Sequence, residues 1–162
     1  MFHKNSITKL DQILEQIKGG RSNPTAKQFA GAEKLGVDPK WVKPDGSIDW
    51  PPNDGFASNI RTPVELQPGQ RFDRYGGRYD VKGNFVDQGS YASPLGVPFE
   101  QRALPDSTLN SPHKTYEIFK PIPGVQSGTA APWFDKPGGG TQYQMPLDIK
   151  YLIENKFIKE VK

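Results

Sequence analysis

Residues 141–161 read TQYQMPLDIKYLIENKFIKEV, and their hydrophobic period changes twice. From Thr141 to Met145 the alternation is strict. Gln142 and Gln144 fall on one face and Thr141, Tyr143 and Met145 on the other, as on a strand with one buried side. Pro146 to Glu154 then spaces Ile149, Leu152 and Ile153 as a helix does, and Asn155 is expected to end it in the left-handed conformation. Phe157, Ile158 and Val161 suit a closing strand. Upstream, Tyr116-Glu117-Ile118-Phe119 reads as another strand, ended by Pro121 and Pro123. Short β-type runs alternate with turn clusters from about Pro63 onward. The pattern implies an α+β domain: a small, mainly antiparallel β-sheet with N-terminal helices and one C-terminal helix.

Composition agrees. The chain has 162 residues, enough for one domain with a short extension. It contains 17 Gly and 16 Pro, a dispersed excess that excludes long helical bundles and coiled coils. Hydrophobic residues are only 34%, yet nine Phe, six Tyr and three Trp supply bulk for a core of strands and shaped loops. The net charge of +3 is scattered, with no basic run of the kind that grips nucleic acid, and it suits a pocket for a phosphorylated small molecule. With no Cys, disulfides, thiol catalysis and cysteine-held metals are excluded. No stretch approaches the roughly 18 apolar residues of a membrane helix, so no membrane insertion is expected. The opening MFHKNSITKLDQ lacks the apolar region of a signal peptide.

In the first third, Ile7, Leu10, Ile13, Leu14 and Ile17 recur at helical spacing, with Asn5 or Ser6 as cap and Gly19-Gly20 as stop. Asn23-Pro24 is expected to cap and start a second helix carrying Phe29 and Leu35, ended by Gly36. Trp41 to Phe56 reads as a loop pinned by Trp41, Trp50 and Phe56. The expected division is a helical extension over 1–39 and a folded domain over 40–162.

Most catalytic signatures are missing. His3 and His113 are too far apart for a local ligand pair, so no metal site is expected. Gly138-Gly139-Gly140 lacks the Lys-Ser/Thr of a phosphate loop and precedes a strand, so it reads first as a hairpin turn. There is no Gly-x-Ser-x-Gly elbow and no Glu-x-Glu pair. Four segments nonetheless carry more chemistry than turns need: Arg71-Phe72-Asp73-Arg74-Tyr75-Gly76-Gly77, Gly89-Ser90-Tyr91-Ala92-Ser93-Pro94, Pro98-Phe99-Glu100-Gln101-Arg102-Ala103-Leu104-Pro105, and Ala131-Pro132-Trp133-Phe134 leading into Pro137 to Tyr143. Arginine forks match phosphate, aromatic faces stack on planar heterocycles, and a side-chain amide holds a hydroxyl or a water without adding charge.

In this order, together with Lys120-Pro121 and the lead-in Trp50-Pro51-Pro52-Asn53-Asp54-Gly55-Phe56, the segments resemble the tuberculosis necrotizing toxin family of NAD glycohydrolases over about residues 40–161. One departure is a longer stretch, Tyr79 to Gln88, between Arg74 and Tyr91, which reads as an enlarged surface turn able to alter one pocket wall. The resemblance implies a half-barrel sheet core and cleavage of the nicotinamide–ribose bond of NAD or NADP, the substrate, with no separate cofactor. Gln142 is then the residue at the scissile ribose, with Arg74 and Tyr91 beside it. Arg102, Tyr75 and His113 would bind substrate, the arginines as phosphate or ribose clamps and the tyrosines as stacking platforms. Read without the resemblance, Gln142 is a solvated strand residue, the arginines are surface ion pairs and the tyrosines are core.

The resemblance also implies a delivered toxin domain acting in the target-cell cytoplasm. A cognate immunity protein and an N-terminal delivery region or secretion apparatus would be its partners, with no nucleic acid. Two other classes fit the same residues: an ADP-ribosyltransferase, against which the missing Glu-x-Glu weighs, and an inactive NAD-binding or interaction module.

Overall fold

The computed structural model describes residues 24–162, in two compact units: one ends at Trp50, the other spans Pro51–Lys162. The helix expected over Ile7–Ile17, and His3, lie outside the described residues.

In the first unit, α1 (Ala26–Leu35) is capped by Thr25; Asn23, the expected cap, lies outside the described residues. Thr25 Oγ1 accepts the Gln28 N–H at 3.0 Å while the Gln28 side chain accepts the Thr25 N–H at 2.8 Å, so two orphan donors are satisfied reciprocally. Gly36, at φ 70°, ends the helix as expected. Phe29 and Ala32 are its buried residues, while Leu35 is only half-buried. Of the residues read as pins, Phe56 is buried and Trp50 is 59% exposed; Val42, which bridges Ile48, is buried as well.

The second unit runs β1 (Thr62–Leu66), β2 (Arg71–Tyr75), β3 (Arg78–Tyr79), β4 (Phe85–Val86), β5 (Tyr91–Pro94), β6 (His113–Ile118), β7 (Ile122–Thr129), β8 (Thr141–Gln144), α2 (Ile149–Glu154) and β9 (Ile158–Val161). Seven strands form one antiparallel sheet in the order β1-β7-β8-β5-β2-β6-β9, curled as a half-barrel. β3 and β4 form a separate hairpin. The strands over Tyr116–Phe119, Thr141–Met145 and Phe157–Val161 are thus present, as is the helix between the last two.

Alternation decides which residues meet. Phe72 of β2 pairs with Tyr116 of β6, and the two rings lie 5.4 Å apart in a core completed by Ile118, Val125, Met145 and, from α2, Ile149 and Leu152. Asp148 caps α2 by accepting the Tyr151 N–H at 2.8 Å, so the helix begins at Ile149 and not at Pro146. Asn155 is not its left-handed residue: its φ is −98°, and Lys156 takes the positive φ of 64°. Burial pushes the Tyr116 phenol above its ordinary pKa and keeps it neutral, and its hydroxyl has no hydrogen-bond partner among the described residues. Tyr116→Phe is therefore expected to shift stability by less than about 1 kcal/mol, measured by thermal melting, because no protein hydrogen bond is lost.

Loops carrying the buried Phe56, Phe99 and Phe134 complete the unit. The glycine triplet is not a simple hairpin turn. Gly138 and Gly140 donate to the carbonyls of Glu100 and Gln101, and Gly139 to that of Ala130, tying this loop to the Phe99–Arg102 turn. A Cβ on Gly140 would stand 2.5 Å from the Val97 side chain, a closeness only glycine allows.

Candidate active site

The ladder between β2 and β5 pairs Phe72 with Pro94 and Asp73 with Ser93, then stops. Arg74 and Tyr75 continue on one arm of the resulting fork, Ala92 and Tyr91 on the other. In that fork lies an open cleft, about 360 Å³ with its solvent-open space included, lined by Arg74, Tyr75, Tyr91, Arg102, Leu104 and Gln142 with the Ala92–Ser93 stretch. Five of the six residues singled out from sequence therefore share one cavity. They come from β2, β5, the Phe99–Arg102 turn and β8.

His113 is not in the pocket lining; it stands behind it. Its ring stacks on Tyr75 at 3.9 Å between centroids, and its Nε2 is 2.8 Å from an oxygen of Asp73. One face of Tyr75 is thus covered by imidazole, and Phe99 meets it edge-on at 5.2 Å.

Neither pocket arginine is an open surface cation. Arg102 is buried, its side chain 5% exposed. Its Nη2 donates to Asp73 Oδ1 at 2.6 Å and to the Val97 carbonyl, Nη1 to the Asp73 carbonyl, and Nε again to Val97. Four of its five N–H groups are so engaged, which leaves one. Arg74 grips Asp87 with two parallel bonds, Nε to Oδ2 at 2.7 Å and Nη2 to Oδ1 at 2.9 Å, and its Nη1 donates to the Tyr91 carbonyl. One N–H on each Nη remains.

A third cluster orders the wall beside Gln142. Asn53, Asp54 and Gly55 all have positive φ, between 55° and 87°, a conformation that Asn, Asp and Gly tolerate best. The turn presents the Asp54 carbonyl to Gln142 Nε2 at 3.0 Å. Arg61 latches it, with Nη1 on Asp54 Oδ2 at 2.9 Å and Nη2 on the Asn53 carbonyl at 3.1 Å. Arg61 also donates to Gln144 Oε1, and Gln144 Nε2 donates to the Tyr91 hydroxyl at 3.1 Å. Burial, reinforced by Asp54 and partly countered by Arg61, raises the Tyr91 pKa, so the hydroxyl stays protonated at neutral pH.

The residues that reading by sequence missed are those holding the others: Asp73, Asp87, Asp54, Arg61 and Gln144. Gln144 was signalled, since strand alternation already set it on the face of Gln142. Asp73 and Asp54 stood inside quoted motifs without a role. Asp87 lay in the stretch read as a surface turn. That stretch is the β3–β4 hairpin, and Asp87 at its end is buried, its side chain 2% exposed. Among the described residues, no cluster of His, Cys, Asp and Glu could hold a metal ion, and no helix is long and apolar enough to cross a membrane.

Comparison with known proteins gives three findings. The chain is 31% identical over 137 residues to the conidial surface nicotinamide adenine dinucleotide glycohydrolase of Aspergillus fumigatus. The match takes in 75% of this chain but 54% of that protein, so the chain spans about half the length of the curated relative. Among solved structures, the tuberculosis necrotizing toxin complexed with its immunity factor is similar at a TM-score of 0.55 and 27% identity, over 73% of this chain and 65% of that one. The family model described as tuberculosis necrotizing toxin matches residues 65–161, which include the fork, both arginines and Gln142. The chain therefore belongs to the tuberculosis necrotizing toxin family.

Proposed function

We propose that the Pro51–Lys162 unit is an NAD(P) glycohydrolase toxin domain, cleaving the nicotinamide–ribose bond to give nicotinamide and ADP-ribose. The observation that carries this reading is the fork pocket. It joins two tyrosines, an amide and two carboxylate-paired arginines, and it belongs to a chain of this family.

Nicotinamide leaves as a neutral base from a cationic ring, so departure needs no general acid. The ribose left behind is oxocarbenium-like, and water adds to its anomeric carbon and then loses a proton. The fork pocket is an open cleft with an enclosed part of only about 50 Å³, so its walls meet the nicotinamide riboside end and do not enclose the whole dinucleotide. Because Asp87 and Asp73 neutralise Arg74 and Arg102, the pocket does not repel the cationic ring or the positive charge that grows on the sugar.

Gln142 is assigned to the scissile ribose. With Nε2 held by Asp54, its Oε1 has no hydrogen-bond partner among the described residues and is free to accept from the attacking water or a ribose hydroxyl. Arg74, with two N–H groups left, is the stronger candidate to hold a phosphate or hydroxyl; Arg102, with one, mainly stiffens the wall and supports Tyr75, over whose ring its guanidinium lies at 5.0 Å. Tyr91 supplies the aromatic surface, while Tyr75, with imidazole stacked on one face and Arg102 over its ring, shapes the wall. His113 acts on the site through Tyr75 and Asp73. We also infer a delivered effector with a cognate immunity protein as partner, supported by the similarity to a toxin solved with its immunity factor.

The deciding assay is incubation of the purified chain with NAD and with NADP. Equimolar release of nicotinamide and ADP-ribose is expected. Nicotinamide released together with ADP-ribose on added protein would mean a transferase, and binding without release would mean an inactive module.

A further inference from the structure

The guanidinium of Arg74 lies in a slot narrower than its ion pair alone requires. A methyl on Gly89, or on Gly76, would stand against Arg74 Nη2 itself. Neither glycine has a positive φ, so the backbone at both positions admits any residue, and it is the guanidinium that makes them glycine. Asp87 closes the slot with its two-oxygen grip and also accepts the Gly89 N–H at 2.9 Å.

The segment behind the slot is fixed. The carbonyls of Asp87 and Gly89 accept the backbone N–H groups of Lys150 and Ile149 in α2, and the Ser90 carbonyl accepts that of Met145. On the other side, Lys114 Nζ lies over the rings of Tyr79 and Phe85 and bonds Glu160 at 3.1 Å, tying the β3–β4 hairpin to β6 and β9. The hairpin is therefore anchored at both ends, with Asp87 where it returns to the sheet.

We propose that Asp87 is a positioning residue, and that Asp87, Gly76 and Gly89 together hold the Arg74 guanidinium at the one place and angle where its remaining N–H groups face the substrate. The Asp87 end of the Tyr79–Gln88 stretch is then a working part of the site, and the tip of the hairpin is not. This inference rests on the glycohydrolase reading for its catalytic half only.

The test displaces Arg74 without removing any charge. Gly89→Ala is expected to melt below the parent but above Arg74→Ala, since the methyl shifts the guanidinium on Asp87 without removing it, and, assayed where it is folded, to lose about tenfold or more in kcat/KM. The NMR signal of the Arg74 Nε–H, protected from exchange in the parent, should become exposed in Gly89→Ala and in Asp87→Asn. Adding Asp87→Asn to Gly89→Ala should cost less than about twofold more, because both act on one side chain. Val81→Ser, at the fully exposed hairpin tip, should keep parent activity. Should Gly89→Ala fail to fold, Gly76→Ala aims its methyl at the same nitrogen.

Parent kcat/KM in a folded Gly89→Ala protein whose Arg74 signal has moved, or losses that multiply in the double variant, would overturn the proposal. An unchanged Arg74 signal in Asp87→Asn would overturn its positional half directly. A parent that releases no nicotinamide sinks the glycohydrolase reading and the catalytic half with it, and the NMR arm still decides the positional one.

Discussion

Arg74→Ala is expected to lose stability as well as activity, by about 3–5 kcal/mol, because it strands a buried carboxylate. Asp87 is 2% exposed and directs both oxygens at Arg74. Once the guanidinium is gone, that charge keeps only the Gly89 N–H and must be protonated, hydrated or left unpaired. For a unit of this size the loss corresponds to a fall in melting temperature of roughly 10 °C or more. Inactivity of Arg74→Ala alone therefore proves nothing about catalysis. Arg74→Met with Asp87→Leu removes both charges and should recover much of the lost melting temperature, since a buried pair replaced by apolar residues is often neutral in stability. Nicotinamide release should not recover with it. A double variant that melts like Arg74→Ala would show that the pair is not what holds this wall, and one that regains turnover would take Arg74 out of the site.

The same pairing explains what could and could not be read from the sequence. Period-two alternation in Thr141–Gln144 and helical spacing in Ile149–Glu154 are local signals, so these elements stand where their residues set them. The ends of elements were less legible. Thr25 caps α1, and Lys156 takes the left-handed turn expected at Asn155, because choices between neighbours depend on which side chain reaches the backbone. Trp50 is exposed although it is large and apolar, since apolarity permits burial without requiring it.

In the pocket, residue types announced Arg74, Arg102, Tyr75, Tyr91 and Gln142, whereas their partners did not announce themselves. Asp87 meets Arg74 across 13 positions of chain, and Gln142 meets Asp54 across 88. An arginine read alone looks like a free cation. Only the fold reveals that both pocket arginines are already neutralised, and that His113 sits behind Tyr75 and not in the cavity. The glycine triplet misled for the same reason: its bonding partners, Glu100 and Gln101, lie some forty residues upstream.

Gln142 allows the cleanest separation of chemistry from folding. Its side chain is half-buried, contributes no core volume and makes one hydrogen bond, to the Asp54 carbonyl. Gln142→Ala should therefore cost about 1 kcal/mol of stability, the worth of that bond. Turnover of NAD should fall about 100-fold or more, with kcat taking most of the loss. The Oε1 contact proposed here is with a water or hydroxyl that must be aligned as the bond breaks, and misplacement of a reacting group carries penalties of that order. The neighbour provides the contrast. Tyr143 faces the opposite side, packed on the core beside Met145, so Tyr143→Ala should destabilise by about 3 kcal/mol or more and lose activity only as the protein unfolds. Both variants would be melted and then assayed for nicotinamide release at a temperature where each is folded. A folded Gln142→Ala protein with parental kcat would remove Gln142 from the chemistry. The Asp54 turn, with its three left-handed residues, would then be left holding an amide that does nothing to the substrate, and the case for hydrolysis would fall back on Arg74 and the tyrosines.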